Sequence, residues 1–181
     1  QRHARKGRDI VLIGHKGHPE VIGTLGRHPA DSDTNIYLVE DYEDINKLEI
    51  NSSEIAYVTQ TTLSVDETKG LIEALQVKYP QIIGPSADDI CYATQNRQDA
   101  VKQLSLECEI VLVIGSKTSS NSNRLKELAE KCGTKSFLID DKSDINIEEL
   151  KHATSVGITA GASAPEEIVQ EVISFLFPLG Y

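Results

Sequence analysis

A carboxylate and two histidines crowd the turn after an apolar run. The stretch "GHKGHPEVIGT" (14–24) carries His15, His18 and Glu20. Pro19 suits the first helical position, which predicts His18 as the N-cap and Glu20 as the second residue of a helix. The helix dipole stabilises a carboxylate there. By itself it reads as a plain helix-start acid beside surface histidines. The glycines do not follow G-x-G-x-x-G, so the turn is not a dinucleotide fingerprint.

Three further turns offer hydroxyls in place of charge. "TQTTLS" (59–64) holds Thr61, Thr62 and Ser64; "SKTSSNSNR" (116–124) holds Ser119, Ser120 and Asn121; "AGASAPEE" (160–167) holds Ser163 ahead of Pro165. Hydroxyls and free N–H groups at helix starts can cradle an anion without basic side chains. N-capping selects the same residue types, so each turn taken singly reads as a cap. The case for an anion site rests on the three together. "GSKT" lacks the G-x-x-x-x-G-K-[ST] order of a phosphate loop, which leaves a nucleoside triphosphate site unsupported.

The three cysteines have neither disulfide-framework nor zinc spacing. Cys108, after "AVKQLSLE", and Cys132, before Gly133, fit packing positions. Cys91, in "CYATQNRQ" (91–98), stands in a polar stretch one step before an expected helix start. Within this chain it reads as a lone reactive thiol or as a ligand whose partners lie elsewhere.

These turns need elements to position them. "DIVLIG" (9–14), "NIYLVE" (35–40), "IAYVTQ" (55–60) and "EIVLVIG" (109–115) are β-branched runs of strand length, separated by helical patterns. In one of these, Leu71, Ile72, Leu75 and Tyr79 recur at helical spacing. Ser64 and Glu67 mark its start as a capping box. The series then begins again. "EIVLVIG" matches "DIVLIG", "FLIDDKSDINIEEL" (137–150) matches "YLVEDYEDINKL" (37–48), and "VGITAGASAPEEIVQEVISFL" (156–176) matches "YVTQTTLSVDETKGLIEAL" (57–75), all about one hundred residues apart. The expected fold class is therefore α/β: two related three-layer lobes with parallel sheets. Pro80, Gly84 and Pro85 suggest a boundary that gives domains 1–86 and 87–181. Ligands of such sheets bind beyond the carboxyl ends of the strands, where all four turns fall.

Composition narrows the partners. The chain has 181 residues, 39% hydrophobic and 25% charged, with a formal net charge of −10. That balance opposes nucleic-acid binding, which draws on Lys and Arg against phosphates. There is no long apolar run for a membrane and no charged-then-apolar leader, so a cytoplasmic setting is expected. No methionine is present, and "QRHARKG" reads as a helix end with Gly7 at the C′ position, so the expectation is a piece of a longer protein.

Together, "GHKGHPEVIGT", "TQTTLSVD", "DDICYATQNRQ", "GSKTSSNSNRL" and "TAGASAPE" resemble, in order and spacing, the 4-hydroxy-3-methylbut-2-enyl diphosphate reductase (LytB) family over essentially the whole chain. The resemblance implies the second and third of three related α/β domains around a 4Fe–4S cluster, with the N-terminal domain absent. It implies an oxidoreductase of the non-mevalonate isoprenoid pathway that reductively removes an allylic hydroxyl, giving isopentenyl and dimethylallyl diphosphates. Two electrons would come from a donor such as ferredoxin or flavodoxin. It implies Cys91 as one of three cysteine ligands of the cluster, Glu20 as the active-site acid and His18 as a substrate ligand. Thr61 would hold substrate and relay protons, with Thr62 beside it; Ser119, Ser120, Asn121 and Ser163 would bind the diphosphate. His15 is not carried over. One thiolate cannot hold such a cluster, so this chain alone is expected to be inactive and free of iron. The alternative is a two-lobed binding module for a small phosphorylated metabolite, without catalysis. A third reading is a purely structural or interaction domain.

Overall fold

The computed structural model describes residues 1–85 and 90–181. Two compact units emerge, Gln1–Cys91 and Tyr92–Tyr181. The expected boundary between 86 and 87 lies outside the described residues.

In the first unit the order is β1 (Asp9–Ile13), α1 (Pro19–Gly26), β2 (Ile36–Val39), α2 (Tyr42–Lys47), β3 (Ile55–Thr59) and α3 (Val65–Lys78). The strands pair in parallel in the order β2-β1-β3. The chain runs from the centre to one edge and then across to the other. Right-handed crossovers therefore put α1 and α2 on opposite faces. A central strand covered on both sides should read as an unbroken apolar run, and every residue of β1 is buried. Val11 and Ile13 join Val39, Ile45 of α2, and Leu71 and Leu75 of α3 in one core. Fully burying a leucine such as Leu75 contributes about 1.5–3 kcal/mol. The Tyr79 hydroxyl donates to the Leu48 carbonyl at 2.7 Å and accepts from the Ile50 N–H at 3.2 Å, tying the end of α3 to the chain entering β3. Past α3 the chain returns alongside β3, where Ile83 bridges Ala56 in parallel. Gly7, expected at a helix end, follows a single 3-10 turn (Ala4–Lys6) at φ +71°, a left-handed conformation that glycine adopts without strain.

The second unit opens with α4 (Tyr92–Glu107) and then repeats the first: β4 (Ile110–Ile114), α5 (Ser120–Lys131), β5 (Lys135–Ile139), α6 (Ile147–Leu150), β6 (Val156–Ala160) and α7 (Glu166–Leu176), in sheet order β5-β4-β6. The pleat of β4 splits its side chains between two cores. Ile110, Leu112 and Ile114 pack with Val172 and Leu176 of α7. Val111 and Val113 pack with Val101 of α4 and Leu125 of α5. Each sheet is thus flanked by helices, as the alternating pattern predicts.

The repeat departs from its template in one element. α2 is continuous, whereas its counterpart is a 3-10 turn (Lys142–Asp144) followed by α6. Asn146 supplies the break, because its side chain accepts from the Glu148 N–H at 3.1 Å and starts a new helix. A second departure concerns cysteine: Cys108 is only half-buried, and Cys132, expected to pack, is exposed at the C-cap of α5.

Candidate active site

Because β1 lies beside β3, the turns leaving their carboxyl ends meet at the point where the strand order reverses, the place where open α/β sheets bind ligands. α1 begins as its sequence predicts. His18 is the N-cap, its ring Nδ1 accepting from the Glu20 N–H at 3.3 Å, with Pro19 at the first helical position. An Nδ1 that accepts leaves Nε2 as the N–H donor of the neutral ring, available to a ligand. Glu20 turns its carboxylate across to the β3 turn. It accepts from the Thr61 backbone N–H at 3.1 and 3.2 Å and from the Thr61 hydroxyl at 3.0 Å. Both residues are half-buried. The Thr61 carbonyl in turn accepts from the Cys91 N–H at 3.3 Å, so the cysteine backbone abuts the same turn. The Cys91 side chain is exposed.

The second unit sets the matching turns at the ends of β4 and β6. Ser119 caps α5, its hydroxyl accepting from the Ser122 N–H at 3.3 Å. Asn123 braces the turn by donating to the Lys117 and Ser119 carbonyls, each at 2.8 Å. A Cβ on either Gly115 or Gly161 would strike the Ser122 hydroxyl, so both glycines are required for the two turns to close this tightly. Asn121, 7% exposed, has neither its amide nitrogen nor its oxygen partnered among the described residues. Ser120 is half-buried and Ser163 exposed. Pro165, not Ser163, is the N-cap residue of α7, and it makes no side-chain cap.

The repeat pairs these residues one to one: His18 with Ser119, Glu20 with Asn121, Thr62 with Ser163. In the first unit the position-matched acid is satisfied internally by Thr61. In the second, Ala162 stands where Thr61 does and brings no hydroxyl, and the Asn121 amide is left without a partner from backbone or side chain among the described residues. The local structure separates capping from other uses. His18, Ser64 and Ser119 all accept from helix N–H groups, which the capping reading foresaw, and Ser163 does not.

Two residues escape the sequence reading. Gln60, 1% exposed, accepts from the His15 N–H at 3.0 Å and donates to the Thr62 hydroxyl at 2.9 Å. Arg97 on α4 donates through Nε to the Ala160 carbonyl at 3.0 Å, fastening α4 to the end of β6. The available signal was position: Gln60 directly follows a strand, and Arg97 sits on the helix that Cys91 precedes. A cavity of about 260 Å³ also opens in the first unit, floored by Ile13, Leu63 and Leu71 and rimmed by His15, Glu40 and Glu67; His18, Glu20 and Thr61 do not line it.

An iron–sulfur cluster takes three or four cysteine thiolates. Among the described residues no group of three or more His, Cys, Asp or Glu side chains is placed to hold a metal ion. By themselves, then, these residues do not fit a cluster; Cys91 offers one thiolate. Among the described residues no helix is long and apolar enough to cross a membrane.

The LytB protein family matches residues 1–177. The chain belongs to the LytB family. It is 58% identical over 180 residues to the 4-hydroxy-3-methylbut-2-enyl diphosphate reductase of Alcanivorax borkumensis, covering 99% of this chain and 58% of that protein. The reductase of the same name from Tolumonas auensis is 56% identical over 180 residues, with the same coverage of each, 99% and 58%. This LytB-family chain therefore spans less than two thirds of the length of these relatives. The solved E-1-hydroxy-2-methyl-but-2-enyl-4-diphosphate reductase of Plasmodium falciparum superposes with a TM-score of 0.92 at 34% identity, over 99% of this chain and 56% of that one. A second solved structure, described as (E)-4-hydroxy-3-methyl-but-2-enyl diphosphate reductase, the terminal enzyme of the non-mevalonate pathway, gives a TM-score of 0.56 at 31% identity, over 98% of this chain and 62% of that one.

Proposed function

We propose that this chain belongs to a 4-hydroxy-3-methylbut-2-enyl diphosphate reductase, in which it supplies the proton-delivering pair and the diphosphate-binding hydroxyls. The net chemistry replaces an allylic C–OH by C–H, consuming two electrons and two protons and releasing water. The hydroxyl must be protonated to leave. The observation that carries the reading is the contact between Glu20 and Thr61, in which a threonine hydroxyl lies 3.0 Å from a carboxylate oxygen. With Glu20 protonated, the bond can reverse: Glu20 gives its proton to the Thr61 oxygen while the Thr61 hydroxyl proton passes to the substrate oxygen. The backbone N–H of Thr61 holds the carboxylate in place through both charge states. His18 offers its Nε2–H to the substrate. Ser119, Ser120, Asn121 and Ser163 bind the diphosphate; the unpartnered Asn121 amide supports that role, because a buried amide without hydrogen bonds costs about 1–3 kcal/mol unless a ligand satisfies it. Cys91 is assigned as one cluster thiolate, with the other ligands and the electron donor lying outside this chain.

The test is Glu20→Gln in the complete protein. Turnover should fall by about 10²-fold or more, the scale of a lost general acid, with the visible absorbance of the cluster intact. Unchanged turnover removes Glu20 from the mechanism. Cys91→Ser should abolish the absorbance itself. A protein that binds the diphosphate with no cluster and no turnover would instead be a metabolite-binding module.

A further inference from the structure

Gln60 is fully buried, and its side chain closes two turns at once. The Oε1 atom accepts from the His15 N–H at 3.0 Å, fixing the β1 turn that leads to His18 and Glu20. The Nε2 atom donates to the Thr62 hydroxyl at 2.9 Å, closing a ring across Thr61 within the β3 turn. The backbone N–H of Gln60 adds a rung to the ladder, donating to the Ile13 carbonyl at 2.8 Å. Room for the amide is made by Gly14, where a Cβ would come within 3.2 Å of the Gln60 Cβ and 2.6 Å of a Val21 methyl.

The second unit provides an internal control. Its counterpart of Gln60 is Gly161, which makes the same rung, N–H to the Ile114 carbonyl at 2.8 Å, with no side chain to clamp the turns. The sheet and its turns therefore form without a glutamine, so the fold does not explain one. What distinguishes the first unit at this place is the contact between Glu20 and Thr61, whose two ends sit on the two turns the amide ties.

We infer that Gln60 is a positioning residue: its amide sets the approach of Thr61 to Glu20 and acts on the reaction only through that pair. The inference rests on the proposed role of Glu20. In the complete protein, Gln60→Leu should lower kcat about 10- to 100-fold, the scale of a misplacement of about 1 Å, with KM little changed. Groups that act as one unit are non-additive, so adding Gln60→Leu to Glu20→Gln should cause no further loss. Hydrogen exchange of the Thr61 amide should quicken in Gln60→Leu while the β1 amides keep their protection. Should Gln60→Leu not fold, Thr62→Val removes the other end of the clamp and must show the same non-additivity. Gln60→Glu, which keeps the acceptor for His15 and lets the Thr62 hydroxyl donate, should restore part of kcat. Equal losses in both backgrounds, unchanged kcat, or unchanged Thr61 exchange would overturn the inference. If Glu20→Gln alone has no effect, the proposed function fails first, and the two failures are told apart.

Discussion

Replacing Thr61 with valine keeps the side-chain shape and deletes one oxygen. In the structure that oxygen donates to Glu20 at 3.0 Å, while the Thr61 N–H, at 3.1 and 3.2 Å, is untouched by the change. The carboxylate should therefore stay in place and lose a single donor. A hydrogen bond to a charged group contributes about 1.5–3 kcal/mol when buried. Both residues are half-buried, so about 1 kcal/mol is the expected loss of stability, near the upper value for a partly exposed charged contact. In a complete protein of the relatives' length that lowers the melting temperature by about 2 °C. The catalytic loss should be far larger than the structural one. If the hydroxyl carries the proton from Glu20 to the leaving group, valine interrupts the path, and turnover should drop about 10²-fold. Thr61→Ser keeps the hydroxyl and should recover most of it. Steady-state turnover of the complete protein and thermal denaturation of the same samples measure both. A Thr61→Val protein that melts lower yet turns over normally would refute the relay and leave Thr61 a purely structural partner of Glu20.

Other consequences separate structural hydroxyls from binding ones. Ser119→Ala removes the cap on α5 and should cost about 1 kcal/mol as well as affinity for the diphosphate, whereas Ser163→Ala, which removes no cap, should leave stability within about 0.5 kcal/mol and raise only KM. Gly161→Ala places a methyl against the buried Ser122 hydroxyl and should destabilise by about 1–3 kcal/mol in a denaturant titration. Burial, aided by the Glu107 carboxylate, pushes the Cys108 thiol up, so less of it is thiolate at a given pH. Timed alkylation read by mass spectrometry should label exposed Cys132 before Cys108, and Cys108 labelling first would contradict the structure.

The local features of the site were legible because they are written in adjacent residues. His-Pro-Glu announces a cap, a first helical residue and an acid in the first turn, and α1 starts that way. The duplication was legible for the same reason: the apolar runs recur in order, and a run buried on both faces has no alternation to misread. Contacts that depend on strand order were not legible. Alternating strands and helices predict a parallel sheet, but only the order β2-β1-β3 puts the turn bearing Glu20 beside the turn bearing Thr61. Gln60 was hidden for a related reason, since a glutamine after a strand looks like any solvated loop residue until a second turn closes over it. Cys132 misled because a cysteine near a helix end resembles a buried one in sequence, while its exposure depends on which side of α5 faces Val113 and Leu138.

The two units show how one frame can be given different chemistry at matched positions. The backbone rung is the same in both, and each helix start is capped by a side chain, His18 accepting from the N–H two residues on and Ser119 from the N–H three residues on. At the position of Glu20 and Asn121 the surroundings differ: Thr61 presents a hydroxyl to the acid and Gln60 ties the adjoining turns, whereas Ala162 and Gly161 bring no polar side chain to the amide. Without the Thr61 hydroxyl the half-buried carboxylate would keep only the Thr61 backbone N–H as its donor, so the threonine side chain adds to what offsets its burial. An unpartnered amide carries a cost as well, and a ligand that completes its hydrogen bonds would offset it. Moving the pair into the second unit, Asn121→Glu with Ala162→Thr, should therefore stabilise that unit relative to Asn121→Glu alone while abolishing diphosphate binding. If the double variant is no more stable than the single one, the difference between the two units is not a matter of who partners the helix-start side chain.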